Sequence, residues 1–127
     1  MAERLLIDTD VLIEYLRGRD WAVEYLEGLH ADLYVSVVSI AELFAGVRGE
    51  EEEASLKQFL LTFTVLPVTQ KVAQLGGLYR REYRASHGTG IADALIAATA
   101  EDSGVGLVSF NRRHFPMVEI RVPYERE

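Results

Sequence analysis

Apolar residues along this chain follow two alternating rhythms. Short unbroken runs, typical of strands buried on both faces, are followed by longer stretches in which apolar side chains return every three or four residues, as on one face of a helix. Residues 4–7 form the first run, which stops at Asp8. A helical pattern over 11–16 follows, ended by Gly18, with Thr9 or Asp10 placed to cap it. Asp20 opens a second helix bearing Trp21, Val23, Tyr25, Leu26 and Leu29.

The same alternation continues to the end of the chain. Residues 33–37 predict a second strand, and a helix follows from Ser39 to Val47. After Gly49, residues 50–63 predict an amphipathic helix whose first-turn glutamates suit the helix dipole. Residues 64–68 predict a third strand, and Thr69 caps a long helix reaching Ser86. His87-Gly88-Thr89-Gly90 is a loop, residues 91–101 an Ala-rich helix, and residues 105–109 a fourth strand. Residues 112–116 form a turn, and residues 118–122 a last short strand. Strands alternating with helices predict an α/β three-layer sandwich around a central, mostly parallel sheet.

At 127 residues the chain has the size of one domain, and the expectation is a single domain over 1–127. With no cysteine, disulfides and thiolate metal sites are excluded, so any metal must bind oxygen or imidazole. No apolar run approaches a membrane span, and the residues from Met1 to Arg4 do not begin a leader. A soluble, cytoplasmic protein with no membrane partner is expected. The formal net charge of −7 argues against a protein that holds nucleic acid by bulk charge, unless carboxylates surround a cation or the usual partner is basic.

Three carboxylates stand at chemically loaded positions. Asp8 ends the first strand, Glu42 falls in the predicted first turn of the helix after the second strand, and Asp93 falls in the first turn of an apolar helix. Each has a plain structural reading. Asp8 suits a cap or turn, Glu42 completes a capping box with Ser39, and Asp93 is a first-turn acid favoured by the dipole. Asp93 is the most informative, because its helical neighbours Ile96, Ala97 and Ala100 offer no polar stripe. Strand-to-helix junctions of a parallel sheet gather at one edge, where sites form. Acids converging there repel one another unless a divalent ion such as Mg²⁺ or Mn²⁺ neutralises them.

Four segments together resemble the motifs of PIN domains, in order and spacing over essentially the whole chain. They are residues 6–16, 36–43, 91–100 and 107–115, which carry Asp8, Glu42, Asp93 and Asn111 respectively. The nearest resemblance within that family is to VapC-type toxins. It implies an endonuclease for single-stranded RNA, with Mg²⁺ or Mn²⁺ held by Asp8, Glu42 and Asp93. It also implies a homodimer and a VapB-type antitoxin that occludes the site. The chain departs from the family at the fourth motif, with Asn111 in place of a frequent acid and His114 where a second acid can occur. An amide oxygen still accepts a bond from a metal-held water, so Asn111 is retained as a catalytic candidate, and one well-held ion is expected.

Thr9 and Ser109 end strands beside these acids, as orienting hydroxyls or plain caps. Asp10 and Glu14 read as a solvated helix face, with added acidity at the rim of the site as the alternative. Arg80, Arg81, Arg84, Arg112, Arg113 and His114 are candidates for RNA phosphate contacts, with solvated faces as the alternative. Other readings remain open at this point. They are a noncatalytic binding module on the same fold, a nuclease acting on DNA, and a flavodoxin-like signalling domain.

Overall fold

A computed structural model describes residues 3–123. The reading of Met1 and Ala2 therefore lies outside the described residues. The elements are β1 (Glu3–Ile7), α1 (Thr9–Leu16), α2 (Asp20–Gly28), β2 (Ala31–Ser36), α3 (Val37–Ala45) and α4 (Gly49–Leu60). They continue with β3 (Thr64–Leu66), α5 (Gln70–His87), α6 (Ile91–Ser103), β4 (Gly106–Val108), a 3-10 turn (Arg112–His114) and β5 (Ile120–Arg121).

The five strands form one parallel sheet in the order β3-β2-β1-β4-β5. Side chains of successive strand residues point to opposite faces. Leu5 and Ile7 accordingly join a core with Val11 and Leu12 of α1, Leu26 of α2, Leu43 of α3, and Leu56 and Leu60 of α4. Leu6, one residue out of phase, packs instead with Ile96, Ala97 and Ala100 of α6, and with Leu107 and Phe115. The sheet is thus covered on both faces, which is the expected three-layer α/β sandwich. Each fully buried leucine or isoleucine of this layer contributes about 1.5–3 kcal/mol.

Two local expectations are corrected. The helix after β2 starts at Val37, not at Ser39. Buried Ser36 is its cap, with Oγ accepting from Val38 N at 3.0 Å. Ser39 and Glu42 therefore sit inside α3, and the capping-box reading of that pair does not hold. Glu42 is one turn further into the helix than its first-turn assignment. Likewise the cap of α1 is Asp8, rather than Thr9 or Asp10, with Oδ1 accepting from Thr9 N. Both shifts arise because the residue at or just past the strand end already has extended backbone and a side-chain acceptor, which is all a cap requires.

The strand order fixes where a site can form. From β1 the chain runs outward to β2 and β3, then returns to the other side of β1 to lay down β4 and β5. That reversal opens a crevice beyond the carboxyl ends of β1 and β4. Helices α5 and α6 pack together through a close approach at Gly76. A Cβ there would lie 2.7 Å from Leu95 Cδ2 and 3.2 Å from Leu95 Cα. Backbone cannot rotate away, so Gly76→Ala is expected to destabilise by about 1–3 kcal/mol, beyond its gain of about 1 kcal/mol in helix propensity. Gly77, with nothing within 4 Å of a Cβ, is the control. Gly77→Ala should stabilise by about 0.5–1 kcal/mol. Urea denaturation of the two variants checks the opposite signs.

Candidate functional site

Asp8 leaves β1 at the crevice, still in the ladder through Asp8 N donating to Val108 O at 2.9 Å. Its carboxylate is only 3 % exposed. Oδ1 accepts from Thr9 N at 2.8 Å and Oδ2 from Ser109 Oγ at 2.7 Å. Ser109, fully buried just after β4, also accepts from Asn111 N at 3.0 Å and stands 3.4 Å from Asp10 Oδ2. One serine hydroxyl thus ties together the ends of β1 and β4, the start of α1, and the turn that follows β4.

Asp10 turns inward, contrary to the solvated-face expectation. Its Oδ2 accepts from Phe110 N at 3.0 Å, and its Oδ1 is buried with no hydrogen-bond partner among the described residues. The sequence signal was present in the Asp8-x-Asp10 spacing. It could not be separated from an exposed first-turn acid until Ser109 and Phe110 were placed opposite it. Glu14, one turn on, is half-buried as well, with its side chain 17 % exposed, and pairs with Arg17 and Arg19 at 3.4 and 3.3 Å.

Burial pushes the Asp8 carboxyl up to about 8. The negative charge of Asp10 adds to the rise, the bonds from Ser109 and Thr9 oppose it, and the charge of Asp93 contributes a further increment. Asp10 is also raised, chiefly by burial, against the pull of the Phe110 N–H. Asp8 is therefore close enough to sense both Asp10 and Asp93.

Asp93, the third residue of α6, is half-buried. Its Oδ2 lies 3.2 Å from Nδ1 of His114 in the 3-10 turn. Glu42 reaches the site from α3, where its Oε1 accepts from Thr9 Oγ1 at 2.7 Å. Ser39 Oγ is 2.7 Å from the same hydroxyl. Asn111 contributes its backbone N–H to Ser109, while its side chain is exposed. Asp8, Asp10 and Glu42 are thus each held by their own donors, and Asp93 faces the His114 ring. As they stand, no three His, Asp or Glu side chains among the described residues form a group that could hold a metal ion together.

Two surfaces flank these acids. Arg80, Arg81 and Arg84 of α5 and Arg112 and Arg113 of the 3-10 turn form no ion pair among the described residues. The two elements meet where Gly88 packs against the His114 ring. On the other side, a cavity of about 590 Å³ runs between α1, α3 and α4, lined by Ile13, Leu16, Leu43 and Leu56 and reaching Glu42. Of the aromatic residues, Tyr15 stacks on Phe59 at 5.0 Å and Phe59 meets Phe63 edge-on at 5.1 Å, both beside the core. Trp21 meets Phe110 edge-on at 4.5 Å. Among the described residues no helix is long and apolar enough to cross a membrane.

A pH dependence follows. Asp8 has a folded pKa near 8, above its ordinary value of 3.8. The folded state therefore keeps a proton that the unfolded chain releases. The stability contributed by neutral Asp8 is complete below about pH 4 and is lost as pH rises through about 8. Thermal unfolding in EDTA should give a falling Tm between about pH 5 and about pH 8.5. Asp8→Asn should flatten that fall. A wild-type Tm that rises across the same window would contradict the geometry.

The family model of the PIN domain matches residues 5–120. Ribonuclease VapC10 of Mycobacterium tuberculosis is 42% identical over 120 residues, covering 91% of this chain and 88% of the relative. Ribonuclease VapC19 of the same organism is 40% identical over 124 residues, covering 94% and 98%. Among solved structures, a toxin–antitoxin complex from Klebsiella pneumoniae superposes with a TM-score of 0.83 at 27% identity, covering 96% of this chain and 99% of that one. With a family match spanning nearly all described residues and these identities, the chain belongs to the PIN domain family, among its VapC members.

Proposed function

We propose that this chain is a divalent-metal-dependent endoribonuclease for single-stranded RNA, the toxin of a toxin–antitoxin pair. The observation that carries the reading is the gathering of Asp8, Asp10 and Asp93 at the strand-order reversal, with Asp8 buried and its charge disfavoured. The names of the curated relatives and the partner in the Klebsiella complex support the ribonuclease and antitoxin parts.

The residues present fit a hard divalent cation. The donors are carboxylate oxygens, and one of them, Asp10 Oδ1, is buried without a partner. A cation would offset both the burial cost and the mutual repulsion of these groups. Asp8, Glu42 and Asp93 would hold Mg²⁺ or Mn²⁺. When bound, such an ion lowers the pKa of the water it holds and takes charge off phosphoryl oxygens.

The chain's own residues do the rest. Ser109 keeps Asp8 aimed at the crevice, and Thr9 anchors Glu42 beside it. Asn111, whose backbone N–H meets Ser109, would orient the attacking water through its exposed amide. The unpaired arginines of α5 and the 3-10 turn meet the RNA phosphates, giving a locally basic approach to an acidic protein. A VapB-type antitoxin seated in the cavity between α1, α3 and α4 would reach Glu42. The active form is a homodimer in the cytoplasm, acting through one domain per chain.

Protein freed of any copurifying partner should cleave single-stranded RNA with Mg²⁺ or Mn²⁺, and not in EDTA. Asp8→Asn and Asp93→Asn should each lower the rate by about 100-fold or more. Cleavage that survives both changes, or that prefers single-stranded DNA, would contradict the reading. Binding of RNA without cleavage would mark a noncatalytic module. A salt titration gives a second check, using Asp8→Asn protein so that RNA stays intact. Arg112→Ala with Arg113→Ala should make the slope of log K against log salt shallower by about 1.4, at about 0.7 per phosphate contact on a single strand. An unchanged slope would remove these arginines from the RNA path.

A further inference from the structure

His114, in the 3-10 turn, brings its ring up to Asp93. Its Nδ1 lies 3.2 Å from Asp93 Oδ2. The histidine is held on several sides. Thr89, itself buried, donates from Oγ1 to His114 O at 2.9 Å. His114 N donates to Asn111 O at 2.9 Å, and the next residue, Phe115, is buried in the core under the sheet. Gly88 takes a left-handed φ of 65°, and a Cβ there would lie 3.7 Å from His114 Nε2. The 3-10 turn and the loop before α6 thus fix the backbone of His114, which sets its ring beside the first-turn acid of α6.

The contact has a chemical direction. A carboxylate only accepts, so Nδ1 must carry the proton, which both the imidazolium and one neutral tautomer supply. The contact therefore does not depend on the charge of the ring. It engages Oδ2 and leaves Oδ1 of Asp93 for another partner. Half-buried on an otherwise apolar helix face, Asp93 has Gly90 before it and no side-chain cap at the helix start. A ring donor in that place selects one rotamer among those open to it.

We propose that His114 is the positioning residue for Asp93, holding one carboxylate oxygen through Nδ1–H so that the other is presented to a divalent ion. It would be the mirror of the common arrangement in which a carboxylate orients a metal-bound histidine. With a donor rather than an acid at this point, the site has one negative charge fewer for a second ion. The inference rests on the ligand role proposed above for Asp93.

The test is Mn²⁺ affinity, measured by calorimetry on the full chain freed of any partner, with RNA cleavage scored separately. In His114→Asn the amide nitrogen stands where Nδ1 stood, whereas in His114→Gln it stands near Nε2, one bond too far. His114→Leu removes the donor. Leu and Gln variants should bind Mn²⁺ about 10- to 100-fold more weakly than wild type, and Asn should restore binding to within about 3-fold. Gln keeps the polarity of the site, so it stands in should Leu fail to fold, and Tm reports any general loss of stability. Equal affinity in wild type and Gln, an Asn variant as weak as Gln, or no Mn²⁺ binding by wild type would overturn the proposal. Mn²⁺ binding in the expected order without RNA cleavage would uphold His114 and sink the nuclease reading alone.

Discussion

A carboxylate at the end of a central strand, almost without access to water, is the constraint from which the rest of this protein follows. Desolvating Asp8 is unfavourable, and Asp10 and Asp93 make it more so. The fold tolerates this through a small set of neutral donors: the Thr9 amide, the Ser109 hydroxyl and, for Asp10, the Phe110 amide. Two of these donors, Ser109 and Phe110, come from the segment after β4, whose position depends on the parallel pairing of β1 with β4. The sheet topology and the electrostatics of the crevice are therefore one problem. Were β4 not beside β1, Ser109 would not reach Asp8, and only the neighbouring Thr9 amide would be left to offset the burial.

The layers of the fold were legible because a parallel sheet covered on both faces leaves a clear trace: short apolar runs between helical periods. Leu5, Leu6 and Ile7 needed no tertiary information to be placed inside. Boundaries were less legible. Val37 and Val38 favour strands by side-chain shape, yet Ser36 caps a helix that takes them in. Glu42 moved one turn deeper as a result. Its link to the site runs through Thr9, thirty-three residues earlier, and no local pattern encodes that pairing.

Asp93 stood out because a charged residue on an apolar helix face has no cheap local explanation. Asp10 did not, since a first-turn acid is ordinary until its partners are known. His114 was visible only as a departure from a motif. Its partner Asp93 lies on a different element, and its support from Thr89 comes from a loop that reads simply as polar. The net charge of −7 had suggested a poor nucleic-acid binder. The structure qualifies this by segregation, with unpaired arginines collected along α5 and the 3-10 turn while the glutamates of residues 50–53 lie on α4.

The central claim is spatial: one divalent ion belongs among the carboxylates at the β1–β4 crevice. A crystal grown with Mn²⁺ and measured at the manganese absorption edge addresses it directly. The account predicts a single anomalous peak within coordination distance of Asp8 and Asp93, with Glu42 turned from Thr9 towards it. A peak elsewhere on the surface, or an ordered crevice with no peak at saturating Mn²⁺, would contradict it.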